Sequence, residues 1–436
     1  MAVSQLIFTI DEVLKAADKV RGQITHVASS CFWHSLVGVD GKGKPTSKVL
    51  GWADNRSRDH VAELRKRFDE TAVHDRTGAR FHSSFWPAKL LWLRKTQPEA
   101  FGRTAQWLSL SDYVALKLFG NSSTSVSMAS ATGILDIRDC SWDRELAKFL
   151  KLKKSNLPEI ATDRETFRLN NKFSRRWKRL ANADWFPAIG DGAANNIGSG
   201  CVTKDRAALM VGTSGALRVA YRGTAPKKIP GGLWCYRIDR ERMIVGGALS
   251  DGGGLYSWLK ENLRLPANAE HAISKRPPAG HGLTFMPFVA GERSTGYHEN
   301  ASGAVIGLTS TTDAVDIAQA ALESVGYRFA EILEQLDGIV DIKEIVVSGG
   351  ALRASKVWAQ IIADILGRKL LLVEAPEASL YGAVLLTLET IGNIESIEKI
   401  SLRRSQVFEP NTDHSLAHTI ARIRHRDLYD RIINNH

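Results

Sequence analysis

From Lys343 onward the chain alternates strand and helix patterns, and this order constrains the fold more than any other feature. Ile345–Val347 and Leu370–Val373 read as short apolar strands; Lys356–Leu366 and Leu380–Ile391 read as helices. A strand that reaches its neighbour only through a helix crosses over and pairs in parallel. The alternation therefore predicts an α/β layer on a parallel sheet.

The remaining sequence is long enough for a second domain. The chain has 436 residues, 44% hydrophobic and 24% charged, so two soluble domains with cores of their own are expected. Texture changes after Trp185, where Phe186-Pro187-Ala188-Ile189 leads into a glycine-rich turn and hairpin strands begin at Ala207. A boundary between Ile197 and Asp205 gives domains 1–198 and 199–436. In the first, Thr9-Ile10-Asp11-Glu12 reads as a capping box opening a helix, with Val13, Leu14, Ala17 and Val20 as its apolar face. Ile24–Ser29 reads as a strand. Ser35–Val39 and Ser47–Trp52 read as a hairpin around Asp40-Gly41. Helices are expected over Arg58–Phe68, Ala88–Arg94 and Ser111–Phe119. Charged, irregular sequence fills Asp143–Asn182.

Several function classes are disfavoured. Cys31, Cys140, Cys201 and Cys235 are far apart without CxxC spacing, as expected of reduced, packed thiols in the cytoplasm. Met1–Thr9 has neither the basic region nor the apolar stretch of a secretory leader. No stretch approaches the ~18 apolar residues of a membrane span. The net charge of +11 suits an anionic small molecule. Arg175, Arg176, Trp177, Lys178 and Arg179 form the densest basic cluster, but no nucleic-acid-binding motif accompanies it, so a solvated helix face is expected.

Three motifs carry chemistry. In Ile189-Gly190-Asp191-Gly192-Ala193-Ala194 an aspartate follows a strand among small residues. Such a carboxylate can serve as a general base, although an exposed turn aspartate looks the same locally. In Val211-Gly212-Thr213-Ser214-Gly215 a strand turns tightly into the next, offering amides and two hydroxyls to phosphate, or serving as an ordinary hairpin. In Val347-Ser348-Gly349-Gly350-Ala351, glycines between strand and helix leave room for a nucleotide; close packing would explain them equally well. Gly38–Lys44 has P-loop spacing, but Pro45 occupies the Ser/Thr position. Gly190-Asp191-Gly192 begins a dinucleotide pattern that Asn195 breaks.

Together, in this order and spacing, these motifs resemble the FGGY carbohydrate kinases. So do Phe285-Met286-Pro287-Phe288-Val289-Ala290-Gly291-Glu292-Arg293, Gly303–Leu308, Glu374–Ala383, Phe32-Trp33-His34, Trp52–Arg56 and Ser127–Gly133. The resemblance covers nearly the whole chain. It implies an α/β, two-domain actin-like ATPase (ribonuclease H-like) fold, with sugar in the cleft and ATP mainly on the C-terminal domain. It implies Asp191 as the catalytic base. Gly212, Thr213, Ser214, Gly253, Gly349, Gly350 and Ser355 then belong to the ATP site. Trp33 and His34 lie by the sugar, with Asp54 and Arg56 nearby. ATP and Mg²⁺ are the implied cofactors, with no dedicated protein ligands assigned to the metal, and a homodimer is an expectation. Trp33 stands where the family usually has Met, and Ser125 where an acid often stands.

Within the family the wording is nearest to gluconate kinases, through Cys31–Leu36, Trp86-Pro87-Ala88-Lys89-Leu90 and Phe186–Gly192. A gluconate carboxylate calls for a bidentate arginine; Arg56 and Arg80 are the candidates, each equally able to form a structural ion pair. A ketopentose such as xylulose is the alternative substrate, and a sugar-binding protein without turnover the alternative class. The family's opening Asp-x-Gly-Thr loop has no counterpart before Gln23, so by resemblance the N-terminal domain is incomplete and the chain begins at the helix that follows that loop.

Overall fold

The alternation after Lys343 forms the heart of a seven-stranded sheet. The computed structural model describes residues 2–373, 377–400 and 404–434; Glu374, Ala375 and Pro376 of the last family motif lie outside them. Across the sheet the strands run Trp234–Arg237, Arg242–Leu249, Gly215–Arg222, Arg206–Val211, Glu344–Ser348, Leu370–Val373 and Arg404–Phe408. Arg206–Val211 and Gly215–Arg222 are the two arms of an antiparallel hairpin. Glu344–Ser348 pairs in parallel with both Arg206–Val211 and Leu370–Val373; the helices Gly350–Ala354 and Lys356–Leu366 carry the chain back from Glu344–Ser348 to the start of Leu370–Val373.

The chain divides into two compact units. One comprises residues 1–194, 236–241 and 379–395; the other comprises 195–235, 242–378 and 396–436. The second unit contains the helix Ala314–Asp337, opened by a capping box between Asp313 and Asp316. Its Arg328 is fully buried, 2.7 Å from Glu331 and paired with Glu292. The Tyr429 hydroxyl of the helix Ser415–Tyr429 donates to Glu292 at 2.8 Å, and the Arg328 guanidinium lies 4.7 Å from the Tyr429 ring. Burial pushes the Asp251 carboxyl up to about 6 against hydrogen bonds from the Ala290 and Val289 amides.

The first unit holds two apolar clusters. One gathers Trp86, Leu90, Trp107 and Leu36; the other gathers Phe173, Trp177 and Trp185 against Ile7, Ile10 and Leu14. The hairpin is present, with Leu36 paired to Leu50 and a turn closed between Asp40 and Lys44. The P-loop-like Gly38–Lys44 lies in that turn. The helices near 58–68, 88–94 and 111–119 form over Val61–Arg67, Trp86–Thr96 and Leu110–Phe119.

Three expectations are corrected. The first helix runs Ala2–Ala16, so Thr9 is not its cap; the Thr9 hydroxyl donates to the Gln5 carbonyl within the helix. Its packed face is Ile7, Ile10 and Leu14, while Val13 and Val20 are exposed. The strand expected over Ile24–Ser29 shortens to His26–Val27, paired in parallel with Asp184–Trp185. The basic cluster is not simply solvated. Trp177 is buried, and its indole N–H and Arg176 both bind Asp11, holding that carboxyl at about 2. Arg179 donates to the carbonyls of Ala17 and Val20 beyond the first helix, where a cation is favoured.

Candidate active site

His34, with Cys140 and Lys151, is among the described non-glycine residues of the first unit with a left-handed backbone. Its φ of 66° is left-handed, a conformation that L-residues other than Gly, Asn and Asp rarely adopt and that persists only where surroundings enforce it. Here they do. The buried Lys89 ammonium donates to the His34 carbonyl at 2.7 Å and to the Ser84 carbonyl at 2.6 Å. Imidazole Nδ1 lies 2.6 Å from the Ala131 carbonyl; since a carbonyl only accepts, Nδ1 carries the proton. In the neutral ring Nε2 is then the acceptor, suited to a hydroxyl donor. The rings of Phe85 and Tyr236 meet the imidazole edge-on at 4.9 and 5.8 Å.

Trp33 ties this corner to the aspartate motif. Its indole N–H donates to the Ser127 carbonyl at 3.1 Å, and the Gly190 amide donates to the Ser127 hydroxyl at 3.0 Å. A Cβ on residue 190 would lie 1.8 Å from Trp33 Nε1, so only glycine fits before Asp191. Ile189–Gly190 is a short strand parallel to Ser30–Cys31. Asp191 then opens the helix Asp191–Gly198 with an exposed side chain, and its Oδ1 accepts from the Gly192 amide at 2.8 Å. Burial first, with Asp112 and Asp191 next, pushes the Cys31 thiol up to about 12, which removes it as a nucleophile.

Both candidate arginines are already paired. Arg56 forks onto Asp54 with contacts of 3.0 and 2.6 Å and lies 4.8 Å from the Trp92 ring. Arg80 reaches Glu70 at 2.9 Å, and Glu70 also binds Arg65.

In the second unit the predicted ATP residues converge through backbone. The Gly253 amide donates to the Gly212 carbonyl at 2.6 Å and the Gly254 amide to the Thr213 carbonyl at 3.0 Å. A Cβ on Gly252 would lie 2.7 Å from the Ser214 backbone, and one on Gly253 2.6 Å from the Gly212 oxygen. Gly349 has φ 96°, with its absent Cβ 2.4 Å from the Val211 oxygen. Thr213 is exposed at the turn's tip and Ser214 half-buried beside it. Gly350 has open space around it. Ser355 sits differently: it is buried, and its hydroxyl caps the helix Lys356–Leu366 by accepting from the Trp358 amide.

Among the described residues no three His, Cys, Asp or Glu side chains gather as a metal site. Asp251, adjoining the glycine run, spends its carboxylate on the Ala290 amide. Sequence reasoning passed over Lys89, Tyr236, Asp251 and Gly252. The run Asp251-Gly252-Gly253-Gly254 was a visible signal for the last two. Tyr236 had none, since it comes from a distant segment.

The geometry describes a glycine-lined turn in one unit and a polar corner with a helix-initial carboxylate in the other. The fold is the two-domain actin-like ATPase (ribonuclease H-like) fold. Residues 3–180 match the N-terminal domain of the FGGY family of carbohydrate kinases and residues 207–389 its C-terminal domain. The chain belongs to this family and is a sugar kinase, a phosphotransferase with an alcohol acceptor. It is 27% identical to a gluconokinase of Bacillus subtilis over 398 residues, covering 87% of this chain and 77% of the relative. It is 25% identical to a xylulose kinase of Staphylococcus xylosus, covering 83% and 76%. Two solved Lactobacillus acidophilus structures, a ligand-bound xylulose kinase and a gluconate kinase, superpose with TM-scores of 0.90 and 0.88. Each is 25% identical and covers 98% of this chain and 89% of the other.

Proposed function

We propose that this kinase transfers the γ-phosphoryl of ATP to a terminal hydroxyl of gluconate. Asp191 accepts the hydroxyl proton as the oxygen attacks phosphorus in line and the bond to the β-phosphate oxygen breaks. Positioning and electrostatics supply most of the catalysis in such transfers. The supporting observation is the placement of Asp191: exposed, first in its helix, and following a glycine against which Trp33 packs. His34 Nε2 accepts a sugar hydroxyl. Gly212, Thr213, Ser214 and Gly253 hold phosphate, and Gly349 and Gly350 lie by the nucleoside. Ser355 contributes by capping the adjoining helix. Mg²⁺ accompanying the nucleotide would supply charge neutralisation beside Gly212, Thr213 and Ser214. The reading includes a cytoplasmic location and a homodimer; no described helix is long and apolar enough to cross a membrane.

Xylulose is the second reading, favoured by one observation. Arg56 and Arg80 are already paired to Asp54 and Glu70, and a neutral ketopentose would leave those pairs undisturbed. A coupled ADP-release assay with Mg²⁺-ATP against gluconate, xylulose, glycerol and ribulose separates the readings. Release with gluconate supports the proposal, and release with xylulose alone overturns the substrate. Saturable sugar binding without release by folded protein overturns turnover and leaves a binding protein.

A further inference from the structure

The first unit carries a groove that none of the proposed catalytic or sugar-binding residues lines. Its volume is about 1450 Å³, more than one small ligand ordinarily fills. Arg144, Lys148, Lys153, Lys154 and Arg240 line it, and Glu159 is its one carboxylate.

The charges are sorted. Arg144 and Lys148 are one turn apart on the helix Arg144–Phe149, so both can face one side. The acids nearby already have hydrogen-bonding or ionic partners. Asp143 and Glu145 both bind Arg76, Asp139 accepts from the Ser141 amide and hydroxyl, and Asp163 accepts from the Arg240 amide. Cations elsewhere in the unit, such as Arg56, Arg80, Lys95 and Arg176, have carboxylate partners. The lining also includes the buried Ser122 and Ser123, whose hydroxyls donate to Gln106 and Asn121. Five cations lining one concave wall suit a ligand with several anionic oxygens.

We propose that this groove binds a small organic anion bearing more than one phosphate group, at a site separate from the transferring centre. Inorganic pyrophosphate is a suitable probe, titrated calorimetrically into the full chain at low salt, with a site weakened by Lys148→Glu and Lys154→Glu assigned to the groove and any site they leave unchanged assigned to the nucleotide turn. One saturable site is expected, weakening as salt rises. Each of Lys148→Glu and Lys154→Glu should weaken it about tenfold or more, since each loses a charge-assisted contact. Lys172→Glu, outside the groove, should leave it unchanged. These side chains are exposed, so matching circular dichroism and melting temperatures would show the variants folded. Absence of saturable binding, or equal affinity in folded Lys148→Glu and Lys154→Glu proteins, would overturn the proposal. So would binding of a single-stranded oligonucleotide with none of pyrophosphate.

Discussion

The two units build their candidate sites from different materials. In the first, side chains are bound to backbone: the Lys89 ammonium holds the His34 carbonyl, the Ala131 carbonyl holds the His34 ring, and Ser127 holds Trp33 by its carbonyl and the Gly190 amide by its hydroxyl. In the second, backbone holds backbone, and the glycines matter because they have no side chain. The first arrangement can be retuned for another sugar by changing one group. The second tolerates almost no addition at its close contacts, whatever the chemistry of the residue added.

Asp191→Asn should produce the largest effect. Loss of the general base is expected to lower kcat by about 10²–10⁴, with sugar affinity by calorimetry near wild type. Equal turnover in the variant would remove Asp191 from the mechanism. Next comes Lys89→Met. It leaves two buried carbonyls without a donor, at about 1–3 kcal/mol each, so denaturant unfolding should show a loss of roughly 3 kcal/mol and sugar affinity should fall with it. Unchanged stability would mean that His34 holds its backbone without help.

In the second unit, Gly349→Ala puts a methyl group against the Val211 oxygen at a φ that alanine resists. It should raise KM for ATP about tenfold or more while KM for sugar stays put, and cost about 1–3 kcal/mol of stability. Gly350→Ala, one residue on in open space, should behave as wild type. If both act alike, the close contact is not the reason for the glycine.

The smallest effect compares two buried carboxyls, Asp112 in the first unit and Asp251 in the second. Burial pushes each up to about 6 from 3.8. A carboxyl raised on folding binds its proton more tightly in the folded state, so its ionisation costs stability as pH climbs from about 4 to 6. Below about 4 that cost is absent; above about 6 it is complete. Asp112→Asn and Asp251→Asn should therefore flatten the pH dependence of stability in that window by about 1–3 kcal/mol each. Unfolding curves at pH 4 and 7 read it out; parallel curves for variant and wild type would show that neither group ionises at a cost.

Much of the second unit was legible because its signals are local. The strand–helix alternation, the turn at Gly212-Thr213-Ser214 and the helix Lys356–Leu366 each declare themselves within a dozen residues. Gly349 was visible as half of a glycine pair, though only the Val211 contact shows which half is irreplaceable. The first unit was less legible because its site is assembled from afar. Lys89 reaches back to His34, and Tyr236 arrives from beyond the second unit's first hairpin. The first helix misled because Thr9 and Glu12 have the spacing of a cap, while Ile7 and Ile10, which pack against distant aromatics, set where the helix lies. The sequence did not show that the Ser355 hydroxyl caps the helix Lys356–Leu366, because its partner amide is defined only once the helix start is fixed.

The Arg328–Glu292–Tyr429 knot in the second unit has a consequence for redesign. Its three members come from different stretches of chain and are sealed from water. Deleting one strands the others' charge or hydroxyl in a medium that cannot solvate it, whereas exchanging all three for apolar groups of matching volume can leave folding intact. Such a cluster is inherited or discarded as a block, and single-residue drift within it is the path least open to this chain.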